Sequence, residues 1–362
     1  MFFYIFKKVD WVLIVSIFLL CLIGLFSIYS TSFEKKEVFF YKQILFIGLG
    51  FLIMIILTTI DYRFFRNHPS LLIIFYFIGA LLLLFVLIFG KEVRGAASWF
   101  RLGIFSFEPV EVIKIIMLLI MAQYFSIRHI ELYRIRHIII SGLYTFIPIM
   151  LVFLQPDFGS ASILVFLWIG IMIVAGIKIR QLLILFLIGI IILSIAWFFI
   201  LKPYQKERVV SFLNPYIDPL GSGYHRIQSV IAIGAGGLWG RGVGHGSQSQ
   251  LSFLPEQHTD FIFSSIAEEF GFLIVFLIFI LYAIIFLRII KISMISNNNF
   301  ARLFCVGALI IFLFQTLVNV GMNLGIMPIA GISLPFISYG GSNLIVNFAI
   351  IGIIQSIIVR RT

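Results

Sequence analysis

The sequence predicts an all-α fold of the membrane class: a polytopic helical bundle of about ten transmembrane helices, with a large extracytoplasmic loop between helices 7 and 8. Three observations predict it. Hydrophobic residues make up 62% of the 362 residues and charged residues only 11%, whereas a soluble domain carries roughly 25% charged residues. The mean hydropathy is +1.15, so the chain must be solvated by lipid. Its apolar runs repeatedly reach the roughly 17–25 residues that a crossing needs.

The spans are read near 11–30, 41–60, 70–90, 110–127, 137–154, 160–177, 181–201, 261–288, 302–322 and 335–357. The first follows Lys7 and Lys8, as a signal peptide would. The run from Trp11 to Tyr29 is too long for a signal core and no small-residue cleavage site follows it, so it is expected to be an uncleaved helix. The fourth and ninth spans carry polar residues within the apolar run.

Orientation follows from the positive charges. With both termini in the cytoplasm, the inner side holds 14 Lys and Arg against 3 acids, and the outer side 12 against 12. The inner face then carries the whole net charge of +11. These bases are spread over short loops, where they face anionic headgroups. Nucleic acid is not an expected partner. Cys21 and Cys305 lie far apart inside apolar runs and are read as small core residues, with no disulfide framework or metal spacing.

Two connections are long. Residues 90–110 read as a polar outer loop. Residues 202–260 form a longer one, with turn formers in "NPYIDPLGSGYH" and a glycine run, "GAGGLWGRGVGHG". Its apolar middle, about Gln228 to Leu238, is expected to rest on the membrane part as an amphipathic or re-entrant segment. The glycine run matches no nucleotide-binding pattern. The whole of 1–362 reads as one transmembrane domain.

Charges at membrane depth are the candidate site residues, because each costs on the order of 2.5–3.5 kcal/mol near a helix centre. Glu111 and Lys114 lie three residues apart and share a helix face. They form either a structural ion pair or a charged cavity wall. Glu108 sits just before Pro109, where an acid suits a helix start. Asp157, in "QPDFGS", is either a helix cap or a second acid facing the same cavity. Asp260 closes the long loop just before an apolar span, where it either caps that span or serves as a general base. Glu268 and Glu269 follow, in a span that lipid alone would not tolerate. His258 beside Asp260 lacks the serine elbow of a hydrolase triad. Gln315, Asn319 and Asn323 share one face of the ninth span, as interhelical hydrogen-bonding residues do. "LPFISYGGSN" reads as a broken entry to the last span.

Taken together, "RGAASWFRLGIFSFEPVEVIK", "QPDFGSA", "RVVSFLNPYIDPLGSGYHRIQSVIAIGAGGLWGRG", "LPEQHTDFIFSSIAEEFG" and "GISLPFISYGGSN" closely resemble the shape, elongation, division and sporulation (SEDS) family, over essentially the whole chain. Within that family the chain is most similar to the elongation member. The resemblance implies a peptidoglycan glycosyltransferase that polymerises lipid II during cell elongation and rod-shape maintenance, in the bacterial cytoplasmic membrane. It implies a class B penicillin-binding protein transpeptidase and other elongation-complex membrane proteins as partners, beside the lipid bilayer. Asp260 matches the family's catalytic acid, Glu111 and Lys114 its ion pair, and Asp157 its QPD acid. Arg101, Arg208 and Lys114 are the cations expected to face the leaving diphosphate, and a divalent cation, Mg or Mn, is left open. The chain departs from the usual pattern at Ser98, where a base is common, at Glu108, where Gln is common, and at Asn343, where Ser is usual. Arg94 and Arg101 are the bases that stand nearest the missing one. Two other functions use the same residues: a lipid II flippase, and a non-catalytic scaffold for the transpeptidase.

Overall fold

The computed structural model describes residues 7–32, 38–93, 96–102, 105–128, 135–200, 223–251, 253–254 and 256–361, with single positions 206, 210, 212 and 214. The helices run in order: α1 (Trp11–Ser32), α2 (Val38–Thr59), the short α3 (Arg63–Asn67), α4 (Pro69–Phe89), α5 (Pro109–Arg128), α6 (Ile135–Leu154), α7 (Phe158–Ala175) and α8 (Ile179–Ile195). Two outer-loop helices follow, α9 (Tyr224–Gly236) and α10 (Ser247–Gln250), and then α11 (Ile262–Met294), α12 (Asn299–Asn323) and α13 (Gly341–Val359). Among the described residues, 10 helices are long and apolar enough to cross a membrane.

Local chemistry sets several of the helix ends. Pro69 occupies the first turn of α4, where its missing N–H costs nothing. Asn298 Oδ1 accepts from Ala301 N at 2.9 Å and caps α12. Gly176, at φ 100°, ends α7 in the left-handed conformation.

The bundle centres on α5, α12 and α13, which are the most enclosed spans, whereas α8 presents apolar side chains on every side. The α2 helix packs along α13, α11 packs between α1 and α12, and α5 packs against α4, α7 and α12. Cys21 and Cys305 are free and fully buried. At the end of the bundle near the termini, Arg288 pairs with Asp10 at 2.7 Å. The Gln355 amide there bonds the Asp10 main chain in both directions, at 3.0 and 3.2 Å. Arg360 bonds the Thr58 carbonyl at 2.9 Å and closes α13 onto α2.

At the opposite end, the segment read as a polar loop near 90–110 is a three-stranded antiparallel sheet, ordered β1 (Lys91–Val93), β2 (Ala96–Leu102) and β3 (Phe105–Phe107). Phe100 pairs with Phe107 and Leu102 with Phe105. The three-residue β1 and β3 are too short to show alternation, and β2, "AASWFRL", does not alternate cleanly between apolar and polar. The last span begins at Gly341 rather than near 335, because Pro335 and a left-handed Phe336 (φ 64°) break the chain direction before it.

The α11 helix is broken at Gly271, whose φ of 74° and ψ of −175° lie outside any helix. A break inside a membrane strands backbone groups that lipid cannot satisfy. The glycine run of the outer loop supplies the partners. Arg241 N and Gly242 N donate to the carbonyls of Glu268 and Glu269 at 2.9 and 3.0 Å, and Phe272 N donates to the Gly237 carbonyl at 2.9 Å. This contact is backbone on backbone. Gly240, at φ 80°, has no room for a Cβ beside the Glu269 carbonyl. Gly240→Ala is therefore expected to lower the melting temperature of the detergent-solubilised protein, by the roughly 1–3 kcal/mol of a strained backbone position or more. It should also expose residues 236–250 to limited proteolysis, whereas Gly189→Ala, at a site with open space around it, should do neither.

Candidate active site

Glu111 lies one turn into α5, and Lys114 follows it by three residues. Their side chains meet at 2.5 Å and are 6% and 1% exposed. Glu111 Oε1 also accepts from Asn343 Nδ2 of α13 at 3.2 Å, and Asn343 Oδ1 accepts from Asn347 Nδ2 at 2.7 Å. Asn343, the position where serine is usual, is thus part of the ion pair's support. The pair is enclosed between α5 and α13.

Glu108 ends the sheet hairpin just above this pair. Its N–H donates to Ser342 Oγ at 3.2 Å, and Ser342 in turn donates to the Ser106 carbonyl at 3.2 Å. The start of α13 is thereby fastened to the start of α5. Glu108 stands within electrostatic reach of Glu111, Asp157, Lys114 and Asp260. Burial, followed by the charges of Glu111 and Asp157, pushes its carboxyl well above the ordinary value, against the opposing pull of Lys114.

Asp157 caps α7, accepting from Ser160 N at 3.0 Å. Burial raises its carboxyl despite that bond, and Glu111 adds to the rise. Capping and proximity to the ion pair therefore coexist at this residue.

Asp260 lies one residue before the N-cap position of α11. The N-cap position is Phe261, which makes no side-chain cap bond. The half-buried Asp260 stands at the junction of the outer loop and α11. Its main-chain carbonyl accepts from Asn319 and Asn323 of α12 at 3.1 and 2.9 Å. The segment 331–339 borders the same stretch. Ser338 Oγ donates to the Thr259 carbonyl and Tyr339 N to the His258 carbonyl, both at 2.8 Å. His258 Nδ1 lies 2.9 Å from Thr31 Oγ1 of α1, a contact between the loop end and α1 rather than a triad.

Glu268 and Glu269, which the sequence marked only as unexplained charges, anchor the outer loop from inside. The Glu268 carboxylate accepts from Gln248 N and Ser249 N at 2.8 and 2.9 Å, at the start of α10. Glu269 Oε1 accepts from Ser30 Oγ and Gln250 Nε2, both at 2.8 Å. Two acids followed by a glycine inside an apolar span were the available signal.

Of the other expected cations, Arg101 lies on β2 opposite Ser106. The Arg101 side chain, Arg94 and Arg208 lie outside the described residues. Among the described residues, no group of three or more His, Cys, Asp or Glu could hold a metal ion.

The model of the FtsW/RodA/SpoVE family, described as "Cell cycle protein", matches residues 10–362. The chain belongs to this family. The FtsW/RodA/SpoVE match extends to individual relatives. "Peptidoglycan glycosyltransferase MrdB" of Escherichia coli (strain K12) is 38% identical over 315 residues, covering 87% of this chain and 84% of the relative. "Stage V sporulation protein E" of Bacillus subtilis (strain 168) is 34% identical over 358 residues, covering 96% of each. A solved structure described as "Structural coordination of polymerization and crosslinking by a peptidoglycan synthase complex" superposes with a TM-score of 0.83 at 34% identity, covering 98% of both chains.

Two outcomes follow from the geometry. Glu111→Ala or Lys114→Ala leaves a buried charge without its partner and should destabilise the protein by about 3–5 kcal/mol. The double change Glu111→Gln with Lys114→Met should cost clearly less, as read by thermal melting. Glu108 gives a pH signature. Folding raises its carboxyl pKa, so the folded state holds this proton more tightly than the unfolded chain does. The contribution is complete below the ordinary carboxyl pKa of about 4.3 and is lost as pH rises through the raised value. Glu108→Gln should therefore raise the melting temperature at neutral pH relative to acid pH. An equal shift at both ends would show that the carboxyl does not titrate in this way.

Proposed function

We propose that this chain joins lipid II units into glycan strands, with Asp260 as general base, and that it serves cell elongation. The observation that carries the reading is the placement of Asp260. It sits at the mouth of the bundle opposite the termini, at the end of the long outer loop, with Glu108 in electrostatic reach. The names of the relatives support glycosyltransfer. Because a sporulation protein is among the similar relatives, at 96% coverage of this chain, the elongation role rests on the motifs alone.

In the proposed reaction the acceptor sugar's 4-hydroxyl loses its proton to the Asp260 carboxylate. Its oxygen attacks the donor's anomeric carbon, and the bond to the lipid diphosphate breaks. A single displacement inverts that carbon. The polyprenyl chains stay in the bilayer beside the apolar outer faces of the helices. The leaving diphosphate is anionic and needs positive potential. Arg101 and Arg208 are the proposed contacts, and the enclosed Lys114 contributes field from below. Burial and the neighbouring acids favour the neutral form of Glu108, which lessens the negative charge facing the same anion.

The covering loop excludes water, which competes with the acceptor hydroxyl. A class B penicillin-binding protein transpeptidase is the proposed partner, supported by the likeness to a synthase complex that couples polymerisation to crosslinking. The proposed setting is the bacterial cytoplasmic membrane, with both termini in the cytoplasm.

The test is polymerisation of labelled lipid II by the purified protein with its transpeptidase partner. Asp260→Asn should lower the rate by roughly 10²–10⁴, the usual worth of a general base, with the melting temperature unchanged. Polymer of wild-type length and rate from this variant would exclude the base role. Transfer of lipid II across vesicle walls by a wild-type protein that makes no polymer would favour the flippase.

A further inference from the structure

The α11 helix begins without a cap of its own, since its N-cap residue Phe261 makes no side-chain bond. The missing acceptor comes from another helix. Asn323 Oδ1, near the end of α12, accepts from Ser264 N at 3.2 Å and from Ser264 Oγ at 2.5 Å. Ser264 is the third residue of α11, where an N-cap side chain usually bonds. Asn323 therefore caps α11 from across the bundle. With its other end it grips the chain just before α11, because Nδ2 donates to the Asp260 carbonyl at 2.9 Å and to the Asn319 carbonyl at 2.8 Å. Asn319 Nδ2 doubles the grip, donating to Asp260 O at 3.1 Å and to Ile332 O at 2.8 Å.

The same cluster reaches the outer loop. Ser229, on α9, lies with its Oγ 2.6 Å from Ser264 Oγ and donates to the Asn323 carbonyl at 2.8 Å. Ser229, Ser264, Asn319 and Asn323 are all 0% exposed. Polar groups enclosed in this way lose more when a bond breaks than a surface group would, so the arrangement is stiff. A displacement of α9 cannot leave it unchanged.

We propose that Asn319 and Asn323 are positioning residues for Asp260, and that Ser229 joins the outer-loop helix to them, so that the placement of the loop is read out at the catalytic carboxylate. The inference rests on the reading of Asp260 as the base. It gives the loop a route to the chemistry through the Asp260 carbonyl and the first turn of α11. The asparagines touch no substrate in this scheme. They fix the start of α11 and the last residue of the loop as one body.

The experiment is steady-state lipid II polymerisation by the full chain with its transpeptidase partner, normalised to folded protein by gel filtration and melting. Asn323→Ala should lower kcat by roughly 10- to 100-fold, the scale of a misplacement of about 1 Å outside the reacting groups, with KM within about twofold. Ser229→Ala should lower kcat by less. The double variant should be no slower than Asn323→Ala alone, because the two residues act through one cluster. A wild-type kcat in Asn323→Ala, or losses that multiply in the double variant, would overturn the inference. So would a KM that rises in step with the fall in kcat.

If Asn323→Ala does not fold, Ser229→Ala and Ser264→Ala each remove one hydroxyl and carry the same test. An unchanged kcat in both would be equally decisive against it. Asp260→Asn, measured alongside, separates the two readings. An inactive Asp260→Asn beside a fully active Asn323→Ala rejects the positioning role alone. An active Asp260→Asn rejects the base.

Discussion

The break in α11 is the constraint on which the half of the molecule opposite the termini depends. A helix that stops and restarts inside a bilayer leaves N–H and C=O groups facing hydrocarbon, at several kcal/mol for each group unsatisfied. Here the repair is made by main chain from the loop that precedes the helix. Residues 237–242 bond to both sides of Gly271. That single solution fixes much else. It holds the glycine run against the protein and sets the height of α9. It also places α10 where Glu268 and Glu269 can receive its N–H groups and side chains.

This explains why the loop is rich in glycine yet well placed. Loops are usually tolerant of change, but here several glycines are backbone contacts. Two buried carboxylates meet the other end of the segment, each with hydrogen-bond donors around it rather than a cation. Acids in such a place are costly unless every oxygen is used. Glu268 spends both oxygens on main-chain donors. The loop and the two halves of α11 are thus one structural unit, although the sequence separates them as connector and span.

Much of the fold was legible because its signals are long. Spans of about twenty apolar residues cannot be mistaken, and their ends carry proline, asparagine and aspartate. The charges at membrane depth were equally visible, and Asp157, at the start of α7, stands within electrostatic reach of the Glu111–Lys114 pair on α5. What stayed hidden depends on contacts distant in sequence. The face shared by Asn319 and Asn323 was readable from their spacing, but its partner was not, since the Asp260 carbonyl lies 59 and 63 residues away. Gly271 was hidden for a different reason. It sits in "EEFGFLIVF", where the apolar run continues through the break, and hydropathy is blind to φ. The sheet at 91–107 was missed because β1 and β3 are only three residues long and the seven residues of β2, "AASWFRL", do not alternate cleanly between apolar and polar.

The burial of both cysteines has a practical consequence. Cys21 and Cys305 are 1% and 0% exposed, so a water-borne maleimide meets neither, and the native chain is a silent background for single-cysteine labelling. A reporter thiol can be added without first removing the native ones and disturbing a packed core. The choice of position still matters. Gly242 lies on the exposed rim of the outer loop, whereas Ser249 is sealed beneath it. A reagent confined to one side of the membrane would tag the first position and pass over the second, which turns the loop's packing into something a gel-shift can report in intact cells.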